Sequence, residues 1–139
     1  MTDTSAHHYG LTVSDLDRAV AFYRDVLGLD LLAEFEVGGD AFAEAVAVPD
    51  ANASFAHLDA GGCRLELVAY DPEGEPSEPT DVNRPGATHL ALAVDDVDAR
   101  YDALPSHVET LSGPRTTESG TRICFVRDPE GNLVELLEA

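Results

Sequence analysis

The stretch His8-Tyr-Gly-Leu-Thr-Val-Ser-Asp-Leu-Asp17 recurs as His89-Leu-Ala-Leu-Ala-Val-Asp-Asp-Val-Asp98, at a constant offset of 81. A second pair, Gly62-Cys-Arg-Leu-Glu66-Leu and Gly131-Asn-Leu-Val-Glu135-Leu, recurs at an offset of 69. Ungapped matches at both ends of two modules mark two copies of one supersecondary unit. Each copy opens with a strand, in which Leu11 and Val13, or Leu92 and Val94, alternate with smaller residues.

A helix follows each opening strand. Ser14 and Asp17 have capping-box-like spacing, and Leu16, Ala19, Val20, Tyr23 and Leu27 form one apolar face that Gly28 terminates. In the second copy Asp95 or Asp96 is the cap, Val97, Tyr101 and Leu104 are the face, and Pro105 ends it. Extended, turn-punctuated segments come next: 29–37, 54–58 and 63–70, then 108–113, 121–127 and 133–137. Residues 41–48 show helical spacing instead, through Phe42, Ala45 and Val46, and predict a short inserted helix. Between the copies, Asp71 to Thr80 holds three prolines and four acids with no aliphatic side chain, the composition of an exposed linker. The expected fold class is α+β: two βαβββ modules at 7–70 and 87–139, joined by a linker at 71–86 within a single domain, 1–139. Their curled mixed sheets would each carry a helix on the convex side and surround a metal site.

The metal site follows from symmetry. His8 and His89 hold the same place in the first strand of each module, and Glu66 and Glu135 the same place in the last. Each glutamate is flanked by aliphatics, in Leu65-Glu66-Leu67 and Val134-Glu135-Leu136, so strand alternation sends it to the face away from the core. If the modules are related by a pseudo-twofold axis, two imidazoles and two carboxylates converge on it. That set neutralises one divalent ion and leaves positions open for water or substrate. It suits Zn, Ni, Co, Mn or Fe alike. A histidine alone in a strand is usually a structural residue, and a glutamate alone between leucines usually faces solvent. Four at equivalent positions of a repeat reverse that expectation. His7 falls out of register with His89, and His57 and His107 have no counterpart in the other copy, so surface positions are expected for the last two.

Composition bounds the partners. At 139 residues and 44% hydrophobic content the chain can bury one substantial core. There are 27 acidic and 8 basic residues, every basic one an arginine, for a net charge of −19. So negative a field repels nucleic acid and anionic membranes, and no apolar run approaches the roughly 20 residues of a membrane span. The polar segment from Met1 to His8 lacks the pattern of a secretory signal, which leads us to expect a soluble, cytoplasmic protein. The acids are spread along the chain, as in the solvated coat of a halophilic protein. Cys63 and Cys124 lie 61 residues apart, a spacing of reduced packing residues and not of a zinc finger.

Over nearly its whole length the chain resembles the vicinal oxygen chelate superfamily, which includes glyoxalase I, extradiol dioxygenases, methylmalonyl-CoA epimerase, and fosfomycin and bleomycin resistance proteins. The resemblance rests on His8-x-x-Leu-x-Val-Ser-Asp-Leu-Asp, Ala21-Phe-Tyr-Arg-Asp-Val-Leu-Gly-Leu29, Leu65-Glu-Leu67, His89-Leu-Ala-Leu-Ala-Val-Asp-Asp-Val and Asp128-Pro-Glu-Gly-Asn-Leu-Val-Glu135. It implies metal ligation by His8, Glu66, His89 and Glu135, a small-molecule substrate and a homodimer. Extradiol enzymes leave the second ligand position without a ligand and epimerases typically place glutamine there, so Glu66 makes the set most like that of glyoxalase I. The implied reaction is a lyase or isomerase step on a 2-hydroxy-carbonyl, such as a thiol adduct, in which Glu135 or Glu66 takes the carbon-bound proton and returns it to the neighbouring carbon. Glyoxalase I grips glutathione through an arginine where this chain has Thr12, and through an asparagine where it has Tyr70. Arg122 and Arg84 are the basic residues that could replace those contacts. The alternatives are an extradiol-type Fe(II) dioxygenase and a non-catalytic, metal-containing drug- or metabolite-binding protein.

Overall fold

The structure, a computed structural model, describes residues 3–139; Met1 and Thr2, at the head of the polar N-terminal segment, lie outside the described residues. The described residues divide into two compact units, one ending at Ser77 and the other spanning Glu78–Ala139. The fold is α+β, with one mixed four-stranded sheet in each unit.

The first unit runs β1 (His8–Thr12), α1 (Leu16–Ala21), β2 (Asp30–Val37), α2 (Asp40–Val46), β3 (Asn52–Asp59) and β4 (Arg64–Asp71). Its sheet order is β1-β4-β3-β2, so the last strand lies between the first and the third, parallel to β1 and antiparallel to β3. Asp15, not Ser14, caps α1: its carboxylate accepts the Arg18 backbone N–H at 3.0 Å. The helix widens into a π turn over Phe22–Val26 and ends at Gly28, whose φ of +80° admits the left-handed cap. Ala19, Val20, Tyr23 and Leu27 are buried, and α1 packs on β3 and β4. Leu65 and Leu67 of β4 are fully buried, each contributing about 1.5–3 kcal/mol by leaving water. Glu66, between them, is only partly covered. The inserted helix expected near residues 41–48 is α2, stopped by Ala47 in the left-handed conformation.

The second unit runs β5 (His89–Ala93), α3 (Val97–Asp102), β6 (Arg115–Thr116), β7 (Arg122–Arg127) and β8 (Leu133–Glu138), in the order β5-β8-β7-β6. Of the two candidate caps, Asp96 makes the bond, to the Ala99 N–H at 3.0 Å; it stands 81 residues after Asp15. The strand expected over 108–113 is not continuous. A single bridge joins Thr110 to Val126, and ordered pairing resumes only in the two residues of β6. Gly113-Pro114 lies between them, and proline has no N–H to give the ladder.

Every acidic residue except Glu66, Asp128, Glu130, Glu135 and Glu138 is exposed. Cys63 and Cys124 are both free, and Cys124 is buried. Among the described residues no helix is long and apolar enough to cross a membrane.

Candidate metal-binding site

Parallel pairing brings the histidine of each first strand beside the glutamate of each last strand. In the first unit Gly10 pairs with Glu66, and in the second Ala91 pairs with Glu135. Each histidine therefore lies two residues before its glutamate's partner. Alternation puts it on the glutamate's face of the sheet.

The resulting pairs have nearly the same separation. His8 Nε2 lies 3.4 Å from Glu66 Oε2, and His89 Nε2 lies 3.3 Å from Glu135 Oε1. These separations exceed the usual 2.7–3.2 Å of an N–H···O hydrogen bond. They match the edge, about 3.4 Å, between a nitrogen and an oxygen ligand held at 2.0–2.2 Å in a tetrahedral shell. The donors therefore fit a divalent ion in both type and spacing. Within each unit the structure brings one pair of the expected ligands together, His8 with Glu66 and His89 with Glu135. Among the described residues, no group of three or more His, Cys, Asp and Glu side chains is gathered as a cation cage.

Neighbouring residues fix the pairs. His7 Nδ1 meets His8 Nδ1 at 2.7 Å, leaving His8 Nε2 for Glu66. The start of β8 is set by the turn 128–132: buried Asp128 accepts from the backbone N–H groups of Glu130 and Asn132, both at 2.9 Å, and from the Asn132 side chain. Arg127 ties the same turn to the Gly131 and Thr80 carbonyls. The expectation that His57 lies at the surface is wrong. It is 5% exposed, because β3 is an interior strand, and its Nε2 lies 2.7 Å from Glu66 Oε2. His107 is exposed.

Of the positions that depart from glyoxalase I, Tyr70 is engaged and Thr12 is exposed. Tyr70 stacks on Phe42 with ring centroids 6.2 Å apart, and Thr12 ends β1 in an exposed position. Arg122 is held by Asp98 through two hydrogen bonds of 2.6 and 2.7 Å and donates to Thr116 as well. Those bonds raise the guanidinium above its ordinary value and hold the Asp98 carboxyl below its own. Arg84 is exposed ahead of β5.

Comparison with known proteins agrees with this architecture. Residues 5–136 match the model of the Glyoxalase/Bleomycin resistance protein/Dioxygenase superfamily, and the chain belongs to that family. It is 31% identical to a lactoylglutathione lyase of Haemophilus influenzae, over 94% of this chain and 90% of that one. It is 32% identical to a 2-epi-5-epi-valiolone epimerase of an Actinomyces species, over 96% and 78% respectively. In structure it resembles a glyoxalase family protein from Bacillus cereus with a TM-score of 0.86 and 24% identity, covering 99% of this chain and 97% of that one. That last likeness establishes the fold.

Proposed function

We propose that the chain is a glyoxalase-type, metal-dependent isomerase or lyase, and that His8, Glu66, His89 and Glu135 together hold one divalent ion. The observation that carries this reading is the pair of matching His–Glu contacts, 3.4 and 3.3 Å, at equivalent registers of two sheets. The ion, when bound, would draw electron density from the vicinal oxygens of a 2-hydroxy-carbonyl and acidify the adjacent C–H bond. His8 and His89 would hold it through Nε2. One glutamate stays a ligand, and the other takes the proton from carbon and returns it to the neighbouring carbon, so that no redox partner is needed. A soluble, cytoplasmic homodimer belongs to the same proposal, the four ligands being drawn either from one chain or from two copies.

Tyr70 and Thr12 favour a substrate other than lactoylglutathione, because neither offers the cation or amide that would bind its carboxylates. The test is a metal-replete screen of 2-oxoaldehyde adducts formed with several thiols, with Ni, Co and Zn supplied in turn. Anaerobic turnover of one adduct, abolished in the E66Q/E135Q double variant, is expected. Turnover retained by the double variant refutes the assignment. Activity that requires Fe(II) and oxygen would transfer the chain to the dioxygenase class, and binding without turnover of any carbonyl would make it a binding protein.

A further inference from the structure

The two His–Glu pairs match, but the residues opposite the glutamates do not. In the first sheet Glu66 is paired across the ladder with His57; in the second Glu135 is paired with Phe125. The Phe125 ring packs edge-on against His89 at 5.1 Å, filling with carbon the place where the first sheet has an imidazole. His57 Nε2 lies 2.7 Å from Glu66 Oε2, and its Nδ1 lies 3.2 Å from Arg64 Nη1. A guanidinium has no acceptor, so Arg64 donates and His57 Nδ1 accepts with its lone pair. The imidazole hydrogen is then on Nε2 and is donated to Glu66. Phe35, edge-on at 5.1 Å, packs against the ring of His57.

From this geometry we infer that His57 is a positioning residue, whose Nε2–H, fixed by Arg64, holds the Glu66 carboxylate in the orientation that binds the ion. The inference rests on the four-ligand reading above. Glu66 Oε2 accepts from His57 with one lone pair and keeps the other on the His8 side. A carboxylate oriented by such an outer hydrogen bond binds a metal more tightly than a rotating one. The unequal flanks also divide the labour between chemically identical glutamates. Glu66 has a second tie, to His57, whereas Glu135 has only His89 beside it among the described contacts and a phenyl ring across the ladder, so Glu135 is the less restrained of the two and the one to move toward a substrate proton.

The second sheet supplies the natural test substitution, H57F, since Phe125 already occupies the equivalent position in a folded sheet. H57Q keeps an N–H donor near the position of Nε2. Affinity for Co(II) would be measured by chelator competition in both variants, in E66Q and in R64M, with far-UV circular dichroism to verify folding. H57F is expected to lose about 10–100-fold in affinity, and H57Q to recover most of it. In the metal-free protein, imidazole 15N shifts should show a bare Nδ1 and a protonated Nε2 at His57, giving way to a tautomer mixture in R64M. Unchanged Co(II) affinity in H57F, failure of H57Q to exceed it, or a protonated Nδ1 in the wild type overturns the inference. If E66Q itself binds Co(II) like the wild type, the four-ligand reading falls. If E66Q weakens binding and H57F does not, only the role of His57 falls. Should H57F fail to fold, H57Q and the imidazole shifts decide.

Discussion

Replacing Asp128 by alanine should cost about 2–4 kcal/mol of stability, because the turn that launches β8 is organised around one buried carboxylate. Asp128 is 5% exposed and accepts the Glu130 N–H and the Asn132 N–H, both at 2.9 Å, while the Asn132 side chain contacts its two oxygens at 3.2 and 2.9 Å. A hydrogen bond to a charged acceptor contributes roughly 1.5–3 kcal/mol, but neighbouring ones are not additive. Water can reach part of the turn, since Pro129 is exposed and Glu130 half-buried, which lowers the total below the sum of its parts. Asn at this position retains an acceptor for the two backbone donors but sets its own amide against that of Asn132. A loss of about 1–2 kcal/mol is expected for D128N, roughly one charge-assisted bond. Urea titration followed by far-UV circular dichroism measures both. A D128A variant within about 0.5 kcal/mol of wild type, the range of an ordinary surface change, would refute this account of the turn.

Three other outcomes follow from features already described. The acidic coat repels itself, so the urea midpoint should rise between 0.05 and 2 M KCl as screening shortens the reach of each charge to a few ångströms; a falling midpoint would remove the halophilic reading. Burial pushes the Cys124 thiol up, and it is 2% exposed, so a thiol reagent at pH 8 should modify partly exposed Cys63 in the native protein and Cys124 only after urea is added. Equal rates at the two would show that the β7–β8 sheet opens readily. Single E66Q and E135Q variants should differ: the first weakens metal binding more than the second, and the second lowers kcat at saturating metal. Identical behaviour of both would remove the division of roles between them.

The repeat made the His–Glu pairs legible because each pair depends on only two offsets, 81 for the first strands and 69 for the last. Both offsets carry through to the ladders, where Gly10 with Glu66 becomes Ala91 with Glu135. His57 escaped the same comparison for a geometric reason. Its ladder equivalent, Phe125, lies 68 residues on, because the connection between β7 and β8 is one residue longer than that between β3 and β4. At the offset of 69, His57 falls over Val126, a fully buried core residue on the other side of its strand. One residue of loop length thus hid the correspondence, since a single-residue shift reverses the face of a strand. The break in the strand expected over 108–113, which keeps only the pairing around Thr110, has a different origin. Alternation there is plausible, but Gly113-Pro114 removes a donor where the ladder needs one, and hydrophobic pattern alone does not weigh that. The cap at Asp15 was obscured because Ser14 is also a good capping residue, and only the hydrogen bond to Arg18 distinguishes them.

The place of the last strand in each sheet bears on how the protein comes into being. β4 arrives last in its unit yet lies beside β1, so His8 cannot meet Glu66 until a segment about 56 residues later in the chain has entered the middle of the sheet. The second pair waits in the same way for β8 to pair with β5. Closing such distant contacts is the slow part of assembling a sheet. Each His–Glu pair is therefore made by the event that completes its sheet. Added metal should slow unfolding and leave the refolding rate unchanged, the mark of a ligand that recognises a finished structure and does not guide its formation.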